Sequence, residues 1–203
     1  RLIEKLVPRI EKLKVGPYTA GDDVDYGPVV TAAAKQNILG LVQSGVDQGA
    51  ELVIDGRDFS LQGYEDGFFV GPHLFDRVTP DMDIYKKEIF GPVLSTVRAG
   101  SYEEAIGLAI DHEYGNGTAI FTRDGDAARD FANRINIGMV GINVPIPVPL
   151  AYHTFGGWKK SAFGDLNQHG PDAFRFYTRT KTVTSRWPSG IKEGGEFNFK
   201  AMD

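Results

Sequence analysis

The alternation of strand-like and helix-like segments in the second half of the chain is the feature that most constrains its fold. Ser101 followed by Glu104 is a capping-box signature, so a helix is predicted to begin there. A strand is predicted at 118–122, an amphipathic helix at 127–135 and an apolar strand at 139–144. This order is typical of an α/β fold in which a parallel sheet is flanked by helices, and right-handed crossovers place those helices on the sheet faces.

The first half of the chain adds helices and shorter strands. Apolar residues at three- and four-residue spacing predict an amphipathic helix at 2–13, and Thr31 is the predicted cap of a second helix. A strand is predicted at 51–55. Two more are predicted on either side of a Gly-Pro bend, at 68–70 and 74–75.

The pattern changes near the C-terminus. Residues 173–187 are rich in Phe, Tyr, Thr and Val and contain no glycine or proline, which predicts one long strand. Its threonines and basic residues make it too polar for a strand that is buried on both faces. We therefore expect it at a sheet edge or against a neighbouring subunit. The tail at 188–203 is expected to be pinned by packing or frayed.

Charge and cysteine content exclude several classes of protein. A net charge of -5 leaves no basic footprint for a nucleic-acid partner. No apolar run is long enough to span a membrane and no secretory signal is recognisable, so we expect no membrane partner and a cytoplasmic location, or the mitochondrial matrix in a eukaryote. The absence of cysteine removes thiolate ligands and thiol nucleophiles, and four scattered histidines predict no metal site. Because Arg1 already lies inside a helical pattern, we expect the chain to be a piece of a longer protein.

The segment Lys86–Val93 combines a carboxylate and an aromatic ring on alternate positions before a Gly-Pro turn. In extended backbone, this alternation directs Glu88 and Phe90 to the same side. The carboxylate can accept hydrogen bonds from both hydroxyls of a ribose, and the ring can pack against a flat heterocycle, which suits a nicotinamide riboside. The alternative is that Glu88 is a solvated loop acid beside two lysines and that Phe90 lies in the core. The residue types alone leave both interpretations open.

Four motifs occur in the order and spacing of the aldehyde dehydrogenase superfamily, and the resemblance covers essentially the whole chain and is to the C-terminal part of such an enzyme. The motifs are Glu88–Val93, Tyr114–Phe121, Gly138–Asn143 and Phe155–Ser161. Within the superfamily, the chain resembles the methylmalonate-semialdehyde dehydrogenase branch most closely. The stretches that carry this second resemblance are Asn143–Leu150, Phe163–Asp165 and Arg175–Thr178. The common family ending Ser-Gly-x-Gly-Arg-Glu is replaced by Ser161–Leu166, which distinguishes the chain from typical hydrolytic members.

This resemblance implies an NAD-dependent, coenzyme A-acylating oxidation whose usual settings are valine and inositol breakdown. Methylmalonate or malonate semialdehyde would give propionyl-CoA or acetyl-CoA with release of CO2, through a cysteine thiolate that lies outside this chain. No catalytic residue is therefore expected here. The resemblance implies that Glu88 holds the hydroxyls of the nicotinamide ribose and that Phe90 packs near the nicotinamide. Asn143 is expected to line the substrate entrance, with a structural role at the end of its strand as the alternative, and Phe155 to pack against the substrate channel.

The resemblance also implies how the chain is divided and assembled. Residues 1–150 would be an α/β segment of the catalytic domain, and 151–203 a substrate-side loop, an oligomerisation strand and a C-terminal tail. The intact enzyme would be a homo-oligomer, a dimer of dimers, and this chain alone would be catalytically silent. The alternatives are a non-catalytic assembly or regulatory module of the same fold, or a fragment of a hydrolytic aldehyde dehydrogenase such as a succinate-semialdehyde type.

Overall fold

A computed structural model describes residues 1–187 of the chain. Its helices are α1 (Leu2–Ile10), α2 (Ala32–Asp47), α3 (Asp83–Lys86), α4 (Tyr102–Asp111), α5 (Gly125–Arg134) and α6 (Ala173–Tyr177). Its strands are β1 (Glu51–Ile54), β2 (His73–Asp76), β3 (Val93–Ser95), β4 (Tyr114–Gly115), β5 (Gly117–Ile120), β6 (Met139–Ile142) and β7 (Trp158–Lys159). Short 3-10 turns lie at Tyr18–Ala20 and Gly170–Asp172.

The three longest helices, α2, α4 and α5, begin at side chains that cap them. Thr31 Oγ1 accepts a hydrogen bond from the Ala34 N–H at the start of α2, and Ser101 Oγ accepts one from the Glu104 N–H at the start of α4, both at 3.1 Å. The Asp124 carboxylate accepts two backbone N–H groups at the start of α5. Because such a cap contributes about 1 kcal/mol, these helix starts are determined locally, and the predicted caps at Thr31 and Ser101 are confirmed.

The strands form three small sheets. β5 and β6 are parallel and are connected along the chain by α5, which is the strand–helix–strand unit predicted from the alternation. β2 and β3 are also parallel, whereas β1 pairs with β2 in the antiparallel sense. The antiparallel pairing is possible because a loop, and not a crossover helix, connects β1 to β2. β4 and β7 form a separate antiparallel pair. The α/β class is confirmed.

The core consists of two apolar clusters. The larger cluster joins α2 and α3 to β2, and its buried members are Leu41, Val42, Ala50, Phe75, Val78, Met82 and Ile84. The smaller cluster lies between α4, α5 and the approach to β6, and its buried members are Ile106, Phe131, Ile135 and Ile137.

Strand β2 carries two buried ionisable residues. The Arg98 guanidinium and the Thr96 hydroxyl bond the Asp76 carboxylate and hold its pKa well below its usual range. Burial lowers the pKa of His73, and the Asp55 carboxylate, 4.0 Å from its Nε2, opposes that shift only in part. The fold therefore favours a charged carboxylate at Asp76 and a neutral imidazole at His73.

The prediction of one long strand at 173–187 is wrong. Residues Ala173–Tyr177 form α6, and the rest of the stretch up to Trp187 contains no strand. Pro171 and Asp172 lie in the 3-10 turn that leads into this helix. Proline has a backbone angle suited to the first turn of a helix, and an acidic residue there is favourable to the helix dipole. These local signals outweigh the strand propensity of the aromatic residues that follow.

The strands predicted at 51–55, 74–75, 118–122 and 139–144 are confirmed as β1, β2, β5 and β6, with bounds that differ by one or two residues, whereas 68–70 has no regular structure. This stretch makes single contacts instead of a ladder, since Val29 N–H donates to the Phe68 carbonyl and the Tyr26 hydroxyl donates to the Val70 carbonyl. The predicted tail at 188–203 lies outside the described residues. Within residues 1–187, none of the helices has both the length and the apolar character that a bilayer crossing requires.

Candidate functional site

A cleft of about 470 Å³ lies beside the Lys86–Val93 segment, where α3 approaches β4 and β7. Glu88 lines this cleft together with Tyr114, Asn116 and Ser161. These residues belong to three of the four sequence motifs and are far apart along the chain. The tertiary fold therefore brings Glu88, which was predicted to bind the cofactor, into the same cleft as three residues to which the sequence analysis assigned no role. We refer to this space as the Glu88 cleft.

The Glu88 carboxylate is available to a ligand. The side chain is exposed, and within residues 1–187 no hydrogen bond or ion pair engages it. Its two lysine neighbours are held elsewhere, because Lys86 Nζ donates to the Asp81 carbonyl at 2.6 Å and Lys87 Nζ pairs with Asp83 at 3.0 Å. An exposed carboxylate that neither lysine engages is compatible with the predicted ribose contact and also with the alternative of a solvated loop acid.

Phe90 is exposed over 79% of its surface, so the alternative that it lies in the core is wrong. Its backbone is left-handed, with φ of +55°, a conformation that is strained for an aromatic residue by about 1 kcal/mol or more. The next residue explains how the strain is maintained. A Cβ atom on Gly91 would lie 2.6 Å from Ile38 Cδ1, so the turn is packed directly against α2. Strained backbone of this kind clusters at functional sites.

One wall of the Glu88 cleft is a row of three rings. His112 lies between Tyr85 and Tyr114, with ring centroids 5.2 Å and 5.9 Å away. Its Nδ1 accepts the Tyr114 N–H at 3.1 Å, and its Nε2 lies 3.2 Å from the Tyr85 carbonyl oxygen. These two bonds are compatible with a proton on Nε2 only. The wall is thus an aromatic surface in which the polar atoms of the Tyr85 and His112 side chains are already paired.

Lys159 connects the fourth motif to the C-terminal end of α4. Its ammonium group donates to the carbonyl oxygens of Ala109, Ile110 and His112 at 3.1, 2.8 and 2.9 Å. The last carbonyls of a helix lack partners within the helix, and a cation there is also favourable to the helix dipole. Lys159 itself has a left-handed backbone with φ of +54°. This contact holds β7 in position beside the end of α4.

Ser161 fixes the same junction from the other side. Its hydroxyl oxygen accepts a hydrogen bond from the Gly115 N–H of β4 at 3.0 Å. The two-residue ladder between β4 and β7 pairs Tyr114 with Lys159. Tyr114 and Ser161, which line the Glu88 cleft, are therefore held by backbone and side-chain bonds between two motifs that lie about 46 residues apart along the chain.

Phe155 is positioned by a close contact between two glycines. A Cβ atom on Gly138 would lie only 1.7 Å from the Gly156 carbonyl oxygen, so the two backbones touch where β6 begins. No residue larger than glycine fits at 138. The half-buried Phe155 ring packs against His169, with centroids 4.5 Å apart. The structure thus places the Phe155 loop beside the start of β6 and outside the lining of the Glu88 cleft.

Asn143 uses both atoms of its side-chain amide to extend the β5–β6 ladder. Its Oδ1 accepts the Thr122 N–H at 2.9 Å, and its Nδ2 donates to the Thr122 carbonyl at 3.0 Å. Its own N–H donates to the Ile120 carbonyl. Asn143 is left-handed, with φ of +58°, a conformation that asparagine tolerates better than most residues. This geometry favours the structural alternative for Asn143, and its place at a substrate entrance stays a prediction.

Of the predicted site residues, only Glu88 lines the cleft, while Phe90, Asn143 and Phe155 do not. Sequence reasoning did not assign roles to Tyr114, Asn116, Ser161 and Lys159, although all four occur within the quoted motifs. The signal that could have identified them is their position beside Gly115 and Gly157, where backbone segments approach closely.

A larger neighbouring cleft of about 600 Å³ shares the Tyr85 and His112 wall and is lined by acidic residues. Two of these acids are already engaged, since Glu104 accepts the Gly100 N–H and Glu113 pairs with Lys160. Across the described residues, no group of three or more His, Asp or Glu side chains is arranged to hold a metal ion. The Glu88 cleft is taken as the candidate site because, of these two clefts, it is the one lined by a residue that the sequence analysis assigned to the cofactor.

Comparison with known proteins identifies relatives over almost the whole chain. The family model described as "Aldehyde dehydrogenase family" matches residues 1–183. The malonate-semialdehyde dehydrogenase of Pseudomonas aeruginosa is 60% identical over 202 residues, which cover 99% of this chain and 40% of the relative. The acylating, mitochondrial methylmalonate-semialdehyde dehydrogenase of Arabidopsis thaliana is 52% identical over 186 residues, which cover 91% of this chain and 30% of the relative.

The fold is also similar to solved structures. A crystal structure described as a methylmalonate-semialdehyde dehydrogenase of Sinorhizobium meliloti complexed with NAD is 72% identical, with a TM-score of 0.87. The match covers 95% of this chain and 39% of that one. The chain thus spans about 40% of the length of the first curated relative that it matches.

Proposed function

Since this chain belongs to the aldehyde dehydrogenase family, we propose that it is part of an NAD-dependent, coenzyme A-acylating oxidoreductase acting on methylmalonate or malonate semialdehyde. The relatives named after these two substrates support this substrate class, and the Arabidopsis thaliana relative is named as acylating. The products would be propionyl-CoA and acetyl-CoA with release of CO2, as in valine and inositol breakdown.

The observation that carries the proposal is the uncommitted Glu88 carboxylate in a cleft built from three motifs. The residues present fit the riboside half of NAD. A carboxylate has enough acceptor sites for both ribose hydroxyls, and no lysine competes for it. The chemistry that NAD supplies when bound is the acceptance of a hydride from the aldehyde carbon. Glu88 would orient the ribose, and so determine where the nicotinamide face lies.

Phe90 would pack near the nicotinamide from the adjacent turn. The ring is exposed, and its left-handed backbone lies in a turn that is packed against α2 through Gly91. The ring would exclude water from one side of the reacting carbon. In this proposal, Phe155 contributes to the substrate channel. Asn143 would shape the substrate entrance through the loop it anchors.

The nucleophile would come from outside the chain. The reaction class needs a thiolate, and the 203 residues contain no cysteine. The chain alone would accordingly be inactive. In this proposal residues 1–150 are a segment of the catalytic domain and 151–203 supply the substrate-side loop and the contact with other subunits. The intact enzyme would be a homo-oligomer, located in the cytoplasm or, as the names of eukaryotic relatives indicate for those proteins, in mitochondria.

The test uses the full-length protein that contains this chain, with NADH formation from methylmalonate semialdehyde as the readout. Activity should depend on NAD and should rise steeply when coenzyme A is added. Activity that is unaffected by coenzyme A would favour a hydrolytic aldehyde dehydrogenase, and no NADH formation with either semialdehyde would refute the proposal.

The role of Glu88 is tested by Glu88→Gln in the same protein. The substitution keeps the shape and removes the charge, so the KM for NAD should rise about ten- to hundredfold, the loss expected for one charged hydrogen-bonding group. The KM for the semialdehyde should change little. Glu11→Gln, at the exposed end of α1, is the matched control and should leave both constants unchanged. Equal KM values for NAD in the two variants would contradict the assignment of Glu88.

A further inference from the structure

We propose that Asn116 is a site of spontaneous deamidation, which converts one polar wall of the Glu88 cleft into a second carboxylate. Asn116 connects β4 to β5 and is followed by Gly117. The chain has six other asparagines, at 37, 133, 136, 143, 167 and 198, and none of them precedes a glycine. This inference concerns the chemistry of the chain and does not depend on the proposed function.

The side chain of Asn116 is free to react. The residue is exposed, and within residues 1–187 its amide forms no hydrogen bond. Asn143 provides the contrast, because both of its amide atoms are bonded to Thr122 at 2.9 and 3.0 Å. An amide that is held in this way cannot turn towards the backbone of the next residue, whereas the Asn116 amide can.

The backbone nitrogen of Gly117 is also uncommitted. The Met139 N–H donates to the Asn116 carbonyl at 3.1 Å, and the Asn143 N–H donates to the Ile120 carbonyl at 2.8 Å. In a parallel ladder, the N–H and C=O groups of alternate residues face the same neighbouring strand. The two bonds show that the backbone groups of the even-numbered residues face β6, so the Gly117 N–H points to the opposite edge of β5. Among the described residues, β5 pairs with β6 alone. The nitrogen that must attack therefore faces an open strand edge.

The chemistry needs only water. The Gly117 amide nitrogen gives up its proton and forms a bond to Cγ of Asn116, and the bond from Cγ to the side-chain nitrogen breaks, so that ammonia leaves with that proton. The resulting cyclic imide takes up water at either carbonyl and opens to aspartate or to isoaspartate. Nothing is oxidised or reduced. Glycine favours the attack because no Cβ shields its nitrogen.

The product changes the electrostatics of the cleft. Asn116 and Glu88 line the same space, so deamidation would add a negative charge beside a carboxylate that has no cationic partner within residues 1–187. Like charges at short distance repel, and the isoaspartate product also lengthens the backbone by one bond between β4 and β5. Both changes would disturb the junction at which the Glu88 cleft is assembled.

The experiment incubates the 203-residue chain at mildly alkaline pH and follows the peptide that contains Asn116 by mass spectrometry and isoaspartate detection. We expect this peptide to gain the mass of an NH-to-O exchange and to show both products, while peptides with the other asparagines stay unchanged. Gly117→Ala is the matched variant, because an added Cβ would be 3.7 Å from its nearest atoms, Met139 Cε and Pro147 Cγ. Alanine therefore fits and should suppress the mass gain.

Asn116→Gln serves as a second variant and should abolish the reaction, because its longer side chain closes the ring much less readily. An unchanged Asn116 peptide in the wild-type chain would overturn the proposal. So would equal mass gain in the wild-type chain and Gly117→Ala, since the modification would then not proceed through attack by the glycine nitrogen.

Discussion

Replacing Lys159 with methionine should destabilise the chain, because this one side chain holds the C-terminal end of α4. Its ammonium group donates to the carbonyls of Ala109, Ile110 and His112, at distances between 2.8 and 3.1 Å. Methionine has a similar length and no donor, so it fills the same space and leaves these carbonyl oxygens without their partner. The Tyr85 hydroxyl, which donates to the Leu108 carbonyl at 3.0 Å, would remain as a contact at this helix end.

The size of the effect follows from the bonds that are lost. Hydrogen bonds to a charged group contribute about 1.5–3 kcal/mol, and a cation at a helix C-terminus adds about 0.3–1 kcal/mol. Because Lys159 is half-buried and water can replace part of the lost bonding, we expect a decrease of about 2–3 kcal/mol in the free energy of unfolding. For a chain of this length, 1 kcal/mol corresponds to about 2–4 °C, so the midpoint of thermal unfolding should fall by about 4–12 °C.

The assay is thermal unfolding of the chain followed by far-ultraviolet circular dichroism. The matched control is Lys160→Met, because Lys160 is the adjacent lysine and is exposed in an ion pair with Glu113. Exposed ion pairs contribute little, so this control should unfold close to the wild-type midpoint. If Lys159→Met and Lys160→Met lower the midpoint by the same amount, or neither lowers it, the capping argument is wrong.

Three further variants test packing and protonation. Gly138→Ala should prevent native packing or lower the unfolding midpoint severely, because its Cβ would overlap the Gly156 carbonyl oxygen at 1.7 Å. Gly107→Ala is the control: no atom lies within 4 Å of its Cβ, so it should stabilise α4. Denaturant unfolding measures the stability of both variants, and a mild effect of Gly138→Ala would contradict the close contact. The buried, neutral His73 has a lowered pKa in the folded state, so stability should be lost as pH falls below its unfolded pKa of about 6.5. His73→Leu should flatten the dependence of the unfolding midpoint on pH between about 5 and 7, and an unchanged dependence would show that another group is responsible.

The helix starts were predictable because their causes are local. Thr31 and Ser101 each accept the N–H three residues ahead, which is the geometry that the sequence pattern encodes. Prediction from local residue types failed at 173–187, where it relied on the strand propensity of aromatic residues. Strand propensity expresses how a side chain fits a half-buried sheet surface, so it carries little information where no neighbouring strand is present in residues 1–187. The Pro171–Asp172 start signal was the better local guide.

The candidate site was only partly predictable. Glu88 and Phe90 could be proposed as candidates from their residue types and their place in a motif, but the alternation argument requires extended backbone, which Phe90 does not have. Phe90 has a left-handed backbone, and it does not line the cleft that Glu88 lines. The interpretation of Asn143 was open in the sequence, and the two bonds to Thr122 favour its structural role.

The sequence by itself determined that the chain has no thiol nucleophile, and it determined which motifs the chain carries. A count of residue types establishes that no thiol is present, and motif spacing is a property of the covalent chain. Only the tertiary structure decided which of these motifs share a cleft. It also decided that Lys86 and Lys87 bond groups other than Glu88, and that Lys159 bonds the carbonyls at the end of α4. The physical reason is that hydrogen-bond partners and close backbone contacts depend on groups that are distant in sequence, and no local pattern records which of them will meet.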